Sequence, residues 1–93
     1  MAMSGKIYKV RIAQVAADFI RAQSRKIQRQ ILDKISFLAK DPYNRGERIK
    51  STPDMFKIRS GNYRIAYKVE KGRLLILVVR VGHRQDFYRY FDG

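Results

Sequence analysis

The sequence predicts a single α+β domain in which two helices cover one face of an antiparallel sheet. Three observations carry that expectation. The N-terminal half holds one alternating stretch followed by two segments of helical periodicity. From Met55 onward the period changes to two, interrupted by two tight-turn signals. Finally, 93 residues is enough for one core and little else. No repeat, low-complexity tract or linker divides the chain, so residues 1–93 are read as one domain.

The elements follow in order. Lys6–Ile12 places Tyr8, Val10 and Ile12 on one face and Lys9 and Arg11 on the other, a strand pattern. Gln14–Ala22 has Val15, Phe19 and Ala22 at helical spacing, and Gln23-Ser24 breaks it, with Ser24 a suitable N-cap for the next helix. In that second helix Ile27, Ile31, Ile35 and Leu38 form one stripe, with Leu32 and Phe37 beside it. Asp41-Pro42 stops it, because proline cannot continue a helix and pushes the preceding residue out of the helical region. Pro42–Asp54 reads as a loop. Phe56 and Ile58 then alternate with Lys57 and Arg59, and Gly61-Asn62 fits a two-residue type II′ hairpin turn. Tyr63, Ile65, Tyr67 and Val69 alternate with Arg64, Ala66 and Lys68. Lys71-Gly72 makes a second turn, and Leu74–Val81 is apolar on both faces, as a central strand is. Gln85–Phe91 is a short aromatic tail. The expected fold is therefore an N-terminal strand, a two-helix hairpin and a three-stranded antiparallel meander, with the helices on one face of a four-stranded sheet.

Charge narrows the function. Twenty-one Lys and Arg against eight Asp and Glu give a formal net charge of +13. Self-repulsion on that scale works against a compact state, and an anionic partner relieves it. Nucleic acid is the first candidate, ahead of an anionic membrane surface and an acidic protein. The chain has no cysteine and one histidine, His83, so disulfides, thiolate metal sites and zinc sites of the usual kind are excluded. No metal and no small-molecule cofactor are expected. No apolar run reaches the length of a membrane span, and Met1–Gly5 lacks the apolar core of a signal peptide. The expected compartment is the cytoplasm.

The turn at Gly61-Asn62 fixes a register by arithmetic: Ser60 faces Tyr63, Arg59 faces Arg64, Ile58 faces Ile65 and Phe56 faces Tyr67. Apolar pairs fall on one face, and Arg59 opposes Arg64 on the other with Lys57 and Lys68 nearby. Like charges directly opposite destabilise a sheet by tenths of a kcal/mol up to about 1. A bound anion explains why the pair is tolerated; solvated residues splaying apart on an open face is the plain alternative. Two features favour the anion. Met55–Arg89 carries nine basic residues against Glu70 and Asp86, and Tyr88 and Tyr90 follow Arg84 closely, which suits bases stacking beside a phosphate clamp.

The stretches Met55–Tyr67 (MFKIRSGNYRIAY) and Leu75–Arg84 (LILVVRVGHR), followed by Tyr88, resemble the RelE/ParE superfamily of bacterial and archaeal toxins. Element order agrees over nearly the whole chain, most specifically from Ile49 to Tyr88. Two departures stand out. The Leu-x-Gly often found before the second strand is Ile49-Lys50-Ser51-Thr52 here, and the C-terminal helix is cut short or absent. The resemblance implies a type II toxin neutralised by a cognate antitoxin, expected to be acidic and to wrap the toxin. In the RelE branch the toxin enters the ribosomal A site and cuts mRNA. Carried over, Lys57 and Arg59 match the second-strand basic pair, Arg64 the third-strand arginine, Arg84 the arginine closing the last strand and Tyr88 the C-terminal tyrosine; Tyr90 substitutes for it if that segment is shifted. The ParE branch shares the fold but poisons DNA gyrase without catalysis, and its chains generally lack this basic set. A plain RNA-binding module is the third reading.

RNA supplies its own nucleophile in the 2′-hydroxyl, so an enzyme need only position it, neutralise the phosphorane and handle protons. Arginines hold phosphate oxygens in a planar fork. A lysine crowded by cations releases its proton more readily, which lets Lys57 serve as general base. Tyr88 can stack on the target base or orient the 2′-hydroxyl. Arg48 and Lys50, in the expected loop, together with Lys68 and Tyr90, are expected RNA contacts. His83 falls, on strict alternation, with Leu75, Leu77, Val79 and Val81, and is read as structural; Tyr63 and Tyr67 are read as core. Leu75, Leu77 and Val79 form a second apolar face needing a cover, part of which Phe87 and Phe91 of the tail can supply and the rest an antitoxin segment.

Overall fold

The computed structural model describes residues 7–91, except for the side chains of Tyr88, Tyr90 and Phe91. The start of the first expected strand, at Lys6, lies outside the described residues. In order, the chain forms β1 (Lys9–Ile12), α1 (Gln14–Arg21), α2 (Arg25–Ala39), α3 (Pro42–Arg45), β2 (Glu47–Ile49), β3 (Thr52–Ser60), β4 (Tyr63–Glu70), β5 (Leu75–His83) and α4 (Arg84–Phe91). The strands make one five-stranded sheet in the order β1-β5-β4-β3-β2.

The helical hairpin forms for the reasons the sequence supplies. The Ser24 hydroxyl accepts the backbone N–H of Ile27 at 3.3 Å and so caps α2. Ile31, Ile35 and Leu38 bury their stripe against the sheet, where they meet Ala16 and Ile20 of α1. Leu32 and Phe37, beside the stripe, stay 44% exposed. The sheet side of this core is Phe56, Ile65, Tyr67, Ile76, Val78 and Val81.

Several details differ from the expected four-stranded antiparallel sheet. β1 runs parallel to β5, pairing Lys9 with Leu75 and Ile12 with Val78. Alternation in a strand reveals its buried face, not the direction of its partner. Within the segment read as a loop, Pro42 begins the short α3, consistent with proline's fitness for a first helical turn. Glu47–Ile49 adds a fifth strand, too short for alternation to disclose, and Ile49 slips out of register to pair with Thr52.

The hairpin register matches the expected one pair for pair, from Ser60↔Tyr63 to Phe56↔Tyr67. Gly61 has φ +59° and Asn62 does not share a positive φ, as a type II′ turn requires. At the second turn a short 3₁₀ segment, Lys71–Arg73, ends in Leu74, which itself takes the left-handed conformation (φ 48°, ψ 51°), so β5 starts one residue later than expected.

β5 breaks strict alternation. Ala66 pairs with Arg80 but Tyr67 pairs with Val78, leaving Val79 as the extra residue of a bulge. Beyond it, Val81 and His83 turn to the helix face, opposite Ile65 and Tyr63. His83 thus shares a face with Val81 but not with Leu75 and Leu77, and its ring meets Tyr63 edge-on at 5.0 Å. On the other face, α4 lays Phe87, 1% exposed, over Ile49, Met55, Ala66 and Val79. Of the second apolar surface this covers Val79 but not Leu75 and Leu77, and the C-terminal tail is a short helix. The Phe91 side chain, also expected to contribute, lies outside the description.

Candidate functional site

β2 pairs with β3 only as far as Glu47↔Lys57, so the edge of β3 beyond that pair is open toward the hairpin turn. A groove of about 440 Å³ occupies this edge, lined by Arg45, Gly46, Glu47, Lys57, Ile58, Arg59 and Arg64. Four cations and one carboxylate therefore converge on one concavity, an arrangement that attracts an anion electrostatically.

Each member is held differently. Lys57 is half-buried, and its ammonium lies 3.8 Å from the Glu47 carboxylate, which is itself well exposed. An ion pair so exposed on one side contributes about 0–1 kcal/mol and is easily exchanged for another anion. Arg59 is exposed at the rim. Arg64 is 8% exposed, and its Nη1 donates to the carbonyl oxygens of Gly61 at 3.1 Å and Tyr63 at 3.0 Å. Its charge is thus partly satisfied by the hairpin turn, so the Arg59–Arg64 opposition is offset within the fold as well as open to an anion.

Gly46 sets the floor. A Cβ built there would overlap the Tyr67 hydroxyl and lie 3.0 Å from the Lys57 carbonyl oxygen. The Tyr67 hydroxyl cannot retreat, because it donates to the Pro42 carbonyl at 2.7 Å and the ring stacks on Phe56 at 5.5 Å. Burial, with a smaller contribution from nearby Asp41, pushes the Tyr67 phenol well up, so it stays a neutral donor. A core tyrosine thereby positions the chain segment that carries Arg45 and Glu47.

Of the residues singled out in the sequence, Lys57, Arg59 and Arg64 share the groove. Arg84 does not line it: exposed at the start of α4, it is anchored through its backbone N–H to the Asn62 carbonyl at 2.8 Å, beside the same hairpin turn. Lys68 stands four residues from Arg64 along β4, about 13 Å at strand rise, and Phe87 covers Ala66 between them. The expected continuous basic face is therefore divided by α4. Arg48 lies over the Phe56 ring at 4.9 Å and donates to the Pro53 carbonyl at 2.7 Å, so it faces away from the groove. Lys50 is exposed in the β2–β3 turn. Tyr88 and Tyr90 belong to α4, with side chains outside the description. Sequence reasoning missed Arg45, Gly46 and Glu47, whose only signal was a glycine between charged residues in an apparent loop. Among the described residues, no cluster of three His, Asp or Glu is placed to hold a metal ion. No helix among the described residues is long and apolar enough to cross a membrane.

Comparison with known proteins places this architecture. Chains of this shape occur in the RelBE2 toxin–antitoxin complex of Mycobacterium tuberculosis (TM-score 0.77, 22% identity, covering 87% of this chain and 98% of that one). The isolated RelE toxin of E. coli is similar (TM-score 0.73, 23% identity, 89% and 93% covered). So is a chain of the RelB–RelE antitoxin–toxin complex of Methanococcus jannaschii (TM-score 0.66, 25% identity, 86% and 96% covered). These likenesses concern the fold. No curated protein sequence matches significantly. The family model for the ParE toxin of type II toxin–antitoxin systems, parDE, matches residues 10–88. Spanning nearly all of the sheet and both long helices, that match settles the family: the chain belongs to the ParE toxins of type II toxin–antitoxin systems, within the RelE/ParE superfamily.

Proposed function

We propose that this toxin is a ribosome-dependent, metal-free mRNA endonuclease that cuts in the A site and so inhibits translation in the cytoplasm. The observation that supports the reading is the groove at the open edge of β3, where Arg45, Lys57, Arg59 and Arg64 surround a single carboxylate, Glu47. The 2′-hydroxyl gives up its proton and its oxygen attacks the adjacent phosphorus. The bond to the 5′-oxygen breaks and that oxygen takes a proton from water, so the products are a 2′,3′-cyclic phosphate and a 5′-hydroxyl. Arg59 and Arg64 hold the non-bridging oxygens, which gain charge in the transition state. The Lys57–Glu47 pair supplies the proton acceptor: Lys57 when deprotonated, or Glu47 directly once RNA displaces the loose ion pair. Arg84, beside the hairpin turn, neutralises a flanking phosphate, and Tyr88 or Tyr90 of α4 stacks on a base. Arg48, Lys50 and Lys68 act as outlying phosphate contacts. An enzyme with so few acid–base groups depends on the ribosome to set the mRNA geometry. The cognate antitoxin, acidic and wrapped around the toxin, would neutralise the cationic groove; RelB-type partners accompany the toxins in the complexes of similar fold.

A second reading is favoured by the family model itself, which bears the ParE name: a non-enzymatic toxin acting on DNA gyrase. One experiment separates the two. The protein is added to a translating extract, mRNA 5′ ends are mapped by primer extension, and gyrase-linked DNA breaks are measured in parallel. Cuts within ribosome-bound codons, lost in Lys57→Ala, support the nuclease. Intact mRNA with accumulating gyrase-linked breaks establishes the alternative.

A further inference from the structure

Arg45 has a second set of contacts outside the groove. Its Cζ lies 4.2 Å from the centroid of the Phe37 ring, and its Nη1 donates to the Phe37 carbonyl at 3.0 Å. The Lys34 ammonium approaches the same ring at 5.5 Å. Phe37 is 44% exposed on α2, so part of its ring remains accessible beside these two cations. It also lines a separate depression of about 520 Å³, bounded by Gln30, the carboxylate of Asp33 and Lys34 on α2 and by Ser60 and Gly61 at the end of β3. The two concavities therefore flank the open β3 edge, and the Arg45–Phe37 contact is the ridge between them.

The core does not require this arrangement, because Phe37 stands beside the buried stripe and not in it. An acidic polypeptide would use the two cations but has no particular need of a ring. A single-stranded nucleic acid uses all three groups, since each nucleotide brings a charged phosphate and a flat π-face. We propose that Phe37 is a base-stacking subsite for single-stranded RNA leaving the groove, with Arg45 and Lys34 contacting the phosphates on either side. This rests on the reading of the groove as an RNA site and extends its footprint across the β3 edge onto α2.

The test uses the full-length protein and fluorescein-labelled single-stranded oligoribonucleotides carrying one abasic position that is moved along the strand. In the wild type, the abasic substitution at one position outside the groove weakens binding by roughly five- to a hundredfold, as loss of one stacked base does. Phe37→Ala binds the intact strand as weakly as the wild type binds that abasic strand, and shows no further loss with it. Phe37→Tyr, which keeps the π-face, restores the wild-type pattern, whereas Phe37→Leu, which keeps only an apolar cover, does not. Lys34→Ala reduces the salt dependence of binding by about one released counterion, and Phe37→Ala leaves it unchanged. If the wild type and Phe37→Ala respond identically to every abasic position while both bind RNA, the subsite is refuted and the groove reading survives. Absence of any RNA binding by the wild type also refutes the subsite, and the groove reading is then decided by cleavage of ribosome-bound mRNA. Loss of polyglutamate binding in Phe37→Ala, with RNA binding intact, assigns the patch to an acidic protein and refutes the proposal.

Discussion

Arg59 and Arg64 face each other across the β3–β4 hairpin, yet their removal should affect stability in opposite directions. Their Cα atoms form a non-hydrogen-bonded pair, which strand geometry sets at about 4.5 Å. Opposed like charges cost up to about 1 kcal/mol, so removing either arginine relieves up to that amount. For exposed Arg59 nothing offsets the relief, and Arg59→Ala is expected to melt at or slightly above the wild-type midpoint. Arg64→Ala also loses two bonds from a charged donor to the turn carbonyls. Bonds of this kind contribute about 1.5–3 kcal/mol where water is excluded. The Gly61 carbonyl belongs to an exposed turn, where water substitutes readily, so the low end of that range applies to the pair as a whole. After subtracting the relief, Arg64→Ala should cost about 0.5–1.5 kcal/mol and lower the midpoint by about 2–12 °C. Thermal unfolding by circular dichroism at low and high salt measures this. Salt should raise the wild-type midpoint by screening its net charge, and raise that of Arg59→Ala less. An Arg64→Ala midpoint at or above wild type, or an equal loss in Arg59→Ala, would refute the assignment of Arg64 to the turn.

Three further outcomes follow from the packing. Gly46→Ala forces its methyl into the pinned Tyr67 hydroxyl and should cost about 2–4 kcal/mol; denaturant titration should show a smaller penalty for Gly46→Ala in a Tyr67→Phe background. The Tyr67 phenol is raised by burial from an ordinary value near 10. Its unfolded form releases the proton first, so stability present in full below pH 10 is lost as pH rises toward the folded value. Wild type should therefore lose stability above pH 10 more steeply than Tyr67→Phe, and parallel pH curves would contradict this. Phe87→Ala uncovers Ala66, Met55 and Val79 and should cost about 3 kcal/mol, with faster amide exchange along α4 as the local readout.

What the sequence discloses depends on the range of the interaction concerned. The Gly61-Asn62 turn dictates the register of β3 and β4 locally, so the opposition of Arg59 and Arg64 is legible from arithmetic alone. The helical stripe and the Ser24 cap are equally local. The bulge at Val79 is not: one extra residue in an apolar run leaves no mark on composition, yet it transfers Val81 and His83 to the helix face. β2 is invisible for another reason, since three residues cannot display alternation. With β2 went half of the groove, because Arg45, Gly46 and Glu47 approach Lys57 only through pairing across the sheet and through the contact of Gly46 with Tyr67. The division of the basic face by Phe87 likewise depends on where α4 docks.

The central claim is that RNA is cut in the groove at the open β3 edge. Arg59→Ala tests it most directly, because Arg59 is exposed and its loss is not expected to weaken the fold. The measurement is single-turnover cleavage of ribosome-bound mRNA in the presence of a chelator, with the end groups of the fragments identified. The account predicts a 2′,3′-cyclic phosphate and a 5′-hydroxyl from the wild type, and a rate lowered by about 10²–10³ in Arg59→Ala with its unfolding midpoint unchanged or raised. A 3′-hydroxyl and 5′-phosphate, or an Arg59→Ala rate equal to wild type, would contradict it.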